Sequence, residues 1–483
     1  MALRCDTIIR DVTLIDGTGA PRTIGDIGIR GERIVGLGDL SAATADIEII
    51  GTGRAVAPGF IDSHTHDDRA VLCGPACTTC KTSQGVTTVV VGNCGVSLSP
   101  LRLNTRPPQP LDLMGDESWW TFDSFGDYAD ALKTKGSELN TYALIGHQTL
   151  RVEAMNGDVY RPAKDGEIAR MHDRLRQSMA EGASGFSTGL YYPPNAEATT
   201  EEVIAVAAAI KPFGGLYTTH MRDEADRVLG SIEETAKIGN RAGIPVHVSH
   251  HKCSMPENYG RSTQTLPLLA EYARTQELTY DVYPYPAGST VLMPDKLRDD
   301  VNVIVTWSIP HPEMTGKYLH DIARGWNTDI KDAATRLLPA GQVSFQMDEE
   351  DVRRIMAHPL SVIGSDGIPH DDHPHPRLWG TFPRVLGHYV RDIGLFSLEA
   401  AIHKMTGRAA DIFGMVGRGT LQEGHFADLV LFDPHTIKDQ ATFGNPKQVS
   451  QGIDQVWCNG IPTYTATQGA TGEKPGRLIR RGR

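Results

Sequence analysis

Apolar residues along this chain come in short blocks, each closed by polar residues or glycine. Eight blocks rich in Val, Ile, Thr and Tyr read as buried strands. In order they end near His66, Cys94 (VTTVVVGNC), His147 (YALIGH), Leu190 (GFSTGL), His220 (GLYTTH), His250 (PVHVSH), Tyr283 (TYDVY) and Asp366 (SVIGSD). Helical patterns lie between them. Ile168, Met171, Leu175 and Met179 recur at helical spacing before Gly182, and TTEEVIAVAAAI opens with a threonine cap and an acidic first turn. Eight alternating units predict an α/β protein built on a (β/α)8 TIM-type barrel over residues 59–413. Residues 95–140 and 284–360 exceed the repeat. The second stretch follows strand seven and carries Trp307, Trp326 and several prolines, so it predicts a lid insertion at about 286–345.

The ends follow another pattern. Residues 1–58 alternate apolar and polar positions with turns at Gly17, Gly25 and Gly31, and residues 414–483 do the same in GTLQEGHFADLVLFDP and QVWCNGIPTY. Neither segment is long enough for its own core, so the two are expected to join in one small β-sandwich beside the barrel. The basic end, GRLIRRGR, reads as a solvated tail.

Composition narrows the function. With 483 residues, 40% hydrophobic and 22% charged, the chain resembles ordinary soluble globular proteins. A formal charge of −12 without a Lys/Arg block argues against a nucleic-acid partner. No apolar run approaches the roughly 18 residues of a membrane span, and the N-terminus lacks a signal-peptide core. Seven scattered cysteines do not make a disulfide framework, which points to the cytoplasm. Cys77 and Cys80 form a C-x-x-C without a second pair and read as packing thiols.

The chemistry gathers where strands stop. In FIDSHTHDD, His64 and His66 sit at alternate positions and present two imidazoles to one side of an extended backbone. Cys94, His220, His250 and Asp366 also end strands, and in a barrel that rim holds the active site. Imidazole, thiolate and carboxylate together suit zinc. A natural division is a tight site of Cys94, His220 and His250, with a weaker position at His64, His66 and Asp366. Three protein ligands leave a place for water, and Asp366 is then the expected general base. His251 is expected to face away from the site; His147, at a strand end, is left as a pocket candidate.

The residues carrying this pattern resemble a known group. PGFIDSHTH and GTLQEGHFADLVLFD resemble the amidohydrolase superfamily; GVTTVVVGNCG, THMRDE, SHHK, YPYPAGST, IGSDGIPHDDHPHPRLWGTFPR and KMTG resemble the N-acyl-D-amino-acid deacylases nearly end to end. The resemblance implies hydrolysis of N-acyl-D-amino acids to a carboxylate and a free D-amino acid, and the preference for D rests on it alone. It also implies principal zinc ligands Cys94, His220 and His250, with His64, His66 and Asp366 at a second, often weakly filled position. Strand four, GFSTGLYYPP, has no lysine to be carbamylated, which counts against a hydantoinase-like chain.

Lys252, two residues past the strand-six ligand, is expected to lean toward the same mouth; Tyr283, Ser289 and Arg377 match family positions that hold the substrate carboxylate, and Tyr192 is a further pocket candidate. After Ser289 the loop TVLMPDKLRDD places Lys296 and Arg298 where a substrate side chain would extend, which suggests acidic side chains such as D-glutamate. The rivals are another C–N hydrolase on this scaffold, such as a cyclic-amide hydrolase or dipeptidase, and a non-catalytic barrel module.

Overall fold

A computed structural model describes residues 3–482. Its centre is a ring of eight parallel strands paired in chain order: Phe60–Asp62, Val86–Val91, Asn140–Gly146, Gly185–Gly189, Leu216–His220, Val246–Val248, Leu278–Val282 and Ser361–Ile363. All eight are almost wholly buried, as parallel strands covered by helices must be. The expected helices are present. One spans Asp165–Glu181 and stops at Gly182; another begins at Thr200, where the Thr199 hydroxyl accepts the Glu202 N–H.

Strands one and eight close the ring through side chains more than through a ladder. A single bridge joins Thr65 and Gly367, and the Asp366 N–H donates to the His64 carbonyl at 2.8 Å. Beneath it the Lys81 ammonium, with no exposed surface, reaches Asp62 at 2.8 Å, Asp67 at 3.4 Å and the Ser365 hydroxyl at 2.7 Å. Asp62 also accepts the Ser365 N–H at 2.7 Å. This buried node joins the segment carrying His64 and His66 to the one carrying Asp366.

The floor of the barrel is plugged. Ile61, Val90, Leu144, Leu216 and Val362 point inward onto Phe413 and Ile479. Ile479 belongs to the basic C-terminal end, which is therefore not a solvated tail. Leu478–Ile479 pairs with Thr141–Tyr142, and the Arg481 guanidinium donates to the carbonyls of Gly214 and Ile412. The arginines cap backbone acceptors under the barrel.

Both ends of the chain contribute to one nine-stranded sheet beside the barrel. Ile9, Val12, Ile27, Val56, Leu429, Leu431 and Trp457 share its core. Its other face, with Val430, Phe432 and Val456, packs on the barrel. After strand seven, Gly288–Val291, Ala340–Ser344 and Val303–Ser308 form an antiparallel three-stranded sheet. Two helices, Leu319–Gly325 and Ile330–Leu337, give this insertion its own core around Val305, Leu319, Ile322 and Leu337. The 95–140 stretch forms a short hairpin, turns and the helix Phe125–Lys135, and sends Leu113 to the barrel mouth.

Candidate metal centre and active site

Each rim side chain is aimed by the turn that ends its strand. Cys94, His250 and Asp366 take positive φ values of 52°, 35° and 50°, a region that residues with a side chain rarely adopt. Strand four ends at Gly189, where a Cβ would stand 2.2 Å from the Cys94 carbonyl oxygen. Only glycine lets that loop settle against the strand. Ser187, in the same strand, accepts the Gly95 N–H at 3.0 Å and pins the loop from the other side.

The six rim residues converge. Cys94 Sγ lies 3.3 Å from both His64 Nε2 and His250 Nε2. His66 Nε2 is 3.2 Å and His64 Nε2 3.5 Å from Asp366 Oδ1. One ligand atom each from His64, Cys94, His250 and Asp366 falls within 4.8 Å of the others, and the His220 ring centroid is 4.4 Å from that of His250. Ligand atoms around a tetrahedral zinc with ordinary bond lengths stand about 3.5 Å apart, so the spacing fits such an ion. The donors fit too: both nitrogens of His220 and Nδ1 of His66 are buried without a hydrogen-bond partner. Cys94 takes the bridging place between the His64 and His250 rings, where strand four offers no lysine.

Charges reinforce the cluster. Burial alone would keep the Cys94 thiol protonated, but His64 and His250 pull it well below the ordinary thiol range. Burial likewise opposes ionisation of Asp366, yet Arg377, His250 and His64 hold it well below the usual carboxylate value. Asp281 organises the rings from below. It accepts from His64 Nδ1 at 3.2 Å, His247 Nε2 at 3.1 Å and the His250 N–H at 2.9 Å. Glu224 lies 3.1 Å from His250 Nδ1, 3.4 Å from His220 Nε2 and 2.8 Å from Lys252 Nζ. Neither carboxylate ends a strand, so neither is among the residues expected at the rim. A signal existed for Asp281, a charge in the middle of the apolar strand LTYDV.

A cavity of about 180 Å³ opens on the cluster, walled by His66, His220, His250, Asp366, Lys252, Tyr192, Tyr283 and, from the insertion, Ser289, Thr290 and Lys296. Tyr192 donates to or accepts from Thr290 at 2.8 Å, linking the loop after strand four to the insertion. The Ser289 hydroxyl is committed to the Gln342 carbonyl at 3.0 Å. Arg377 is not on the wall. It is fully buried behind Asp366, with Nη2 at 2.8 Å from Oδ2, stacked over the Tyr283 ring, and its Nε and Nη1 have no partner.

Two expectations fail. Arg298 does not reach the cavity: its guanidinium pairs with Asp300 at 2.8 Å and with Glu257, leaving Lys296 as the insertion's cation on the wall. His147 is no pocket residue either. It begins a helix and packs on Phe186, with Nε2 3.2 Å from Glu202. His251 faces away, its Nε2 2.9 Å from the Thr265 hydroxyl.

Barrel and rim cluster together define a metal-dependent hydrolase. The chain belongs to the amidohydrolase family, whose family model matches residues 52–292 and 314–464. It is 49% identical to a D-aminoacylase of Alcaligenes xylosoxydans xylosoxydans over 99% of this chain and 98% of that one. It is 46% identical to an N-acyl-D-aspartate deacylase of the same organism, over 99% and 95% of the two chains. The crystal structure of an N-acyl-D-glutamate deacylase from Bordetella bronchiseptica, complexed with zinc and a phosphonate mimic of the tetrahedral intermediate, superposes with a TM-score of 0.95 at 44% identity, covering 99% of this chain and 100% of that one. Within the family, then, this chain stands with the N-acyl-D-amino-acid deacylases. No helix among the described residues is long and apolar enough to cross a membrane.

Proposed function

We propose that the protein hydrolyses the amide bond of N-acyl-D-amino acids with zinc as cofactor, releasing a carboxylate and a free D-amino acid. The observation that carries this is the meeting of His64, Cys94, His250 and Asp366 within 4.8 Å, beside a cavity that also receives Lys252. Cys94, His220 and His250 would hold the principal zinc, with His64, His66 and Asp366 lining a second position. Bound there, zinc polarises the scissile carbonyl and makes hydroxide accessible at neutral pH.

The protein's own groups do the rest. Lys252 draws the substrate's carboxylate to the wall beside Tyr283, whose ring the buried Arg377 guanidinium backs, with Tyr192 across the cavity. That grip fixes the acyl group over the rim. Asp366, ionised and 2.8 Å from Arg377, takes a proton from the attacking water. As water oxygen bonds to the carbonyl carbon and the C–N bond breaks, the same proton goes to the departing amine.

Lys296, beside the Tyr191 ring at the cavity mouth, supports a preference for acidic side chains such as D-glutamate or D-aspartate. Seven free thiols, two of them partly exposed, fit a reducing cytoplasm. A panel of N-acetyl D- and L-amino acids, assayed with and without added zinc, tests the reading. Zinc-dependent release of D-amino acids is expected, and hydrolysis of L substrates alone would overturn it. Faster cleavage of N-acetyl-D-leucine than of N-acetyl-D-glutamate would remove the acidic preference.

A further inference from the structure

We infer that Glu224 is a positioning residue that ties metal binding to substrate binding, by fixing the His250 ring for the ion and holding the Lys252 ammonium for the carboxylate. The inference rests on the proposed zinc chemistry and starts from the neighbours of His250. Its Nε2 faces Cys94 Sγ at 3.3 Å; its Nδ1 faces Glu224 Oε1 at 3.1 Å and Lys252 Nζ at 2.7 Å. An imidazole that ligates through Nε2 carries its proton on Nδ1 and must donate it there. An ammonium has no lone pair to accept it. Of the two neighbours, only the carboxylate can select the ligating tautomer.

The same carboxylate serves three other contacts. Both its oxygens lie 2.8 Å from Lys252 Nζ, and Oε2 lies 3.4 Å from His220 Nε2. Glu224, His220, His250 and Lys252 are all buried, so these contacts are screened far less than exposed ones. The loop that carries Glu224 is itself tied down: the Asp223 carboxylate accepts the N–H groups of Ala225 and Arg227, and the Glu224 carbonyl accepts the Ser254 N–H. A single side chain after strand five thereby touches two expected zinc ligands and the cation expected to grip substrate.

The role separates from general structural support through two readouts measured on the whole protein: zinc affinity, by competition with a chromophoric chelator, and the division of any kinetic loss between KM and kcat. Glu224→Gln is expected to weaken zinc by about 10–100-fold, the usual cost of losing the partner of a ligating histidine. With zinc saturating, its KM for an N-acetyl-D-amino acid rises. Glu224→Asp, which keeps the charge, restores part of the zinc affinity. Lys252→Met raises KM while leaving zinc affinity near that of the parent. Unchanged zinc affinity in Glu224→Gln would overturn the inference, as would a loss in Lys252→Met equal to that in Glu224→Gln. If Glu224→Gln does not fold, Glu224→Asp decides: weaker zinc supports the role and parental zinc binding overturns it. A parent protein that binds zinc but releases no D-amino acid defeats the functional reading, yet leaves the zinc comparison to decide the role of Glu224.

Discussion

Replacing Lys81 with methionine removes the one cation in the node that closes the barrel. Lys81→Met keeps most of the side-chain volume but leaves Asp62 and Asp67 buried without their partner. Breaking a buried ion pair from one side costs about 3–5 kcal/mol. The upper half of that range is expected, because neither Asp67 oxygen has a hydrogen bond to fall back on. The loss also depends on pH. Burial already pushes Asp67 up to about 6 despite Lys81, and without the ammonium it goes higher. A carboxyl whose folded value lies above its unfolded value favours folding below the unfolded value and loses that benefit as pH rises through the folded one. The gap between parent and variant should therefore be narrower at pH 5 than at pH 8. Urea unfolding at both pH values measures it. A loss under about 1 kcal/mol at pH 8, the range of exposed ion pairs, would refute the claim that this node closes the barrel.

Other outcomes follow from the same contacts. Arg377→Ala should raise KM sharply with zinc retained, and lower kcat as well, since Asp366 loses the guanidinium at 2.8 Å; unaltered steady-state kinetics would take Arg377 out of the site. Dialysis against a strong chelator should abolish turnover, and one to two equivalents of zinc should restore it; activity that survives with no zinc found by elemental analysis contradicts the metal chemistry. Burial raises Asp371 to about 7, so its contribution to stability is present below about pH 4 and lost as pH rises through 7. Asp371→Asn should remove that decline, about 4 kcal/mol for a single group moved this far, and denaturation curves from pH 4 to pH 8 that keep the parent's slope count against it.

The barrel was legible because each strand is an apolar block that stops at a chemically distinctive residue. His220 ends its strand, and Cys94, His250 and Asp366 lie two or three residues beyond theirs. What escaped notice depends on partners remote in the chain. Arg298 looked like a substrate contact until the fold brought Glu257 beside it. Glu224 sits among Arg222, Asp223 and Asp226, and local pattern cannot tell a buried carboxylate from its exposed neighbours. Lys81 lies in PACTTCKT, where nothing announces a cation sealed against two aspartates. The docking of the basic C-terminal end is hidden for a related reason: its arginines answer carbonyls, which leave no trace in side-chain composition.

The left-handed backbone at Cys94, His250 and Asp366 has an evolutionary corollary. Such a conformation costs a residue with a side chain of order 1 kcal/mol or more, a cost that glycine escapes. At each of these places the mutation that most relaxes the chain is thus one that deletes a reactive group. A lineage released from the need for turnover would drift toward a sturdier, inert barrel, while one still under selection must keep the discomfort.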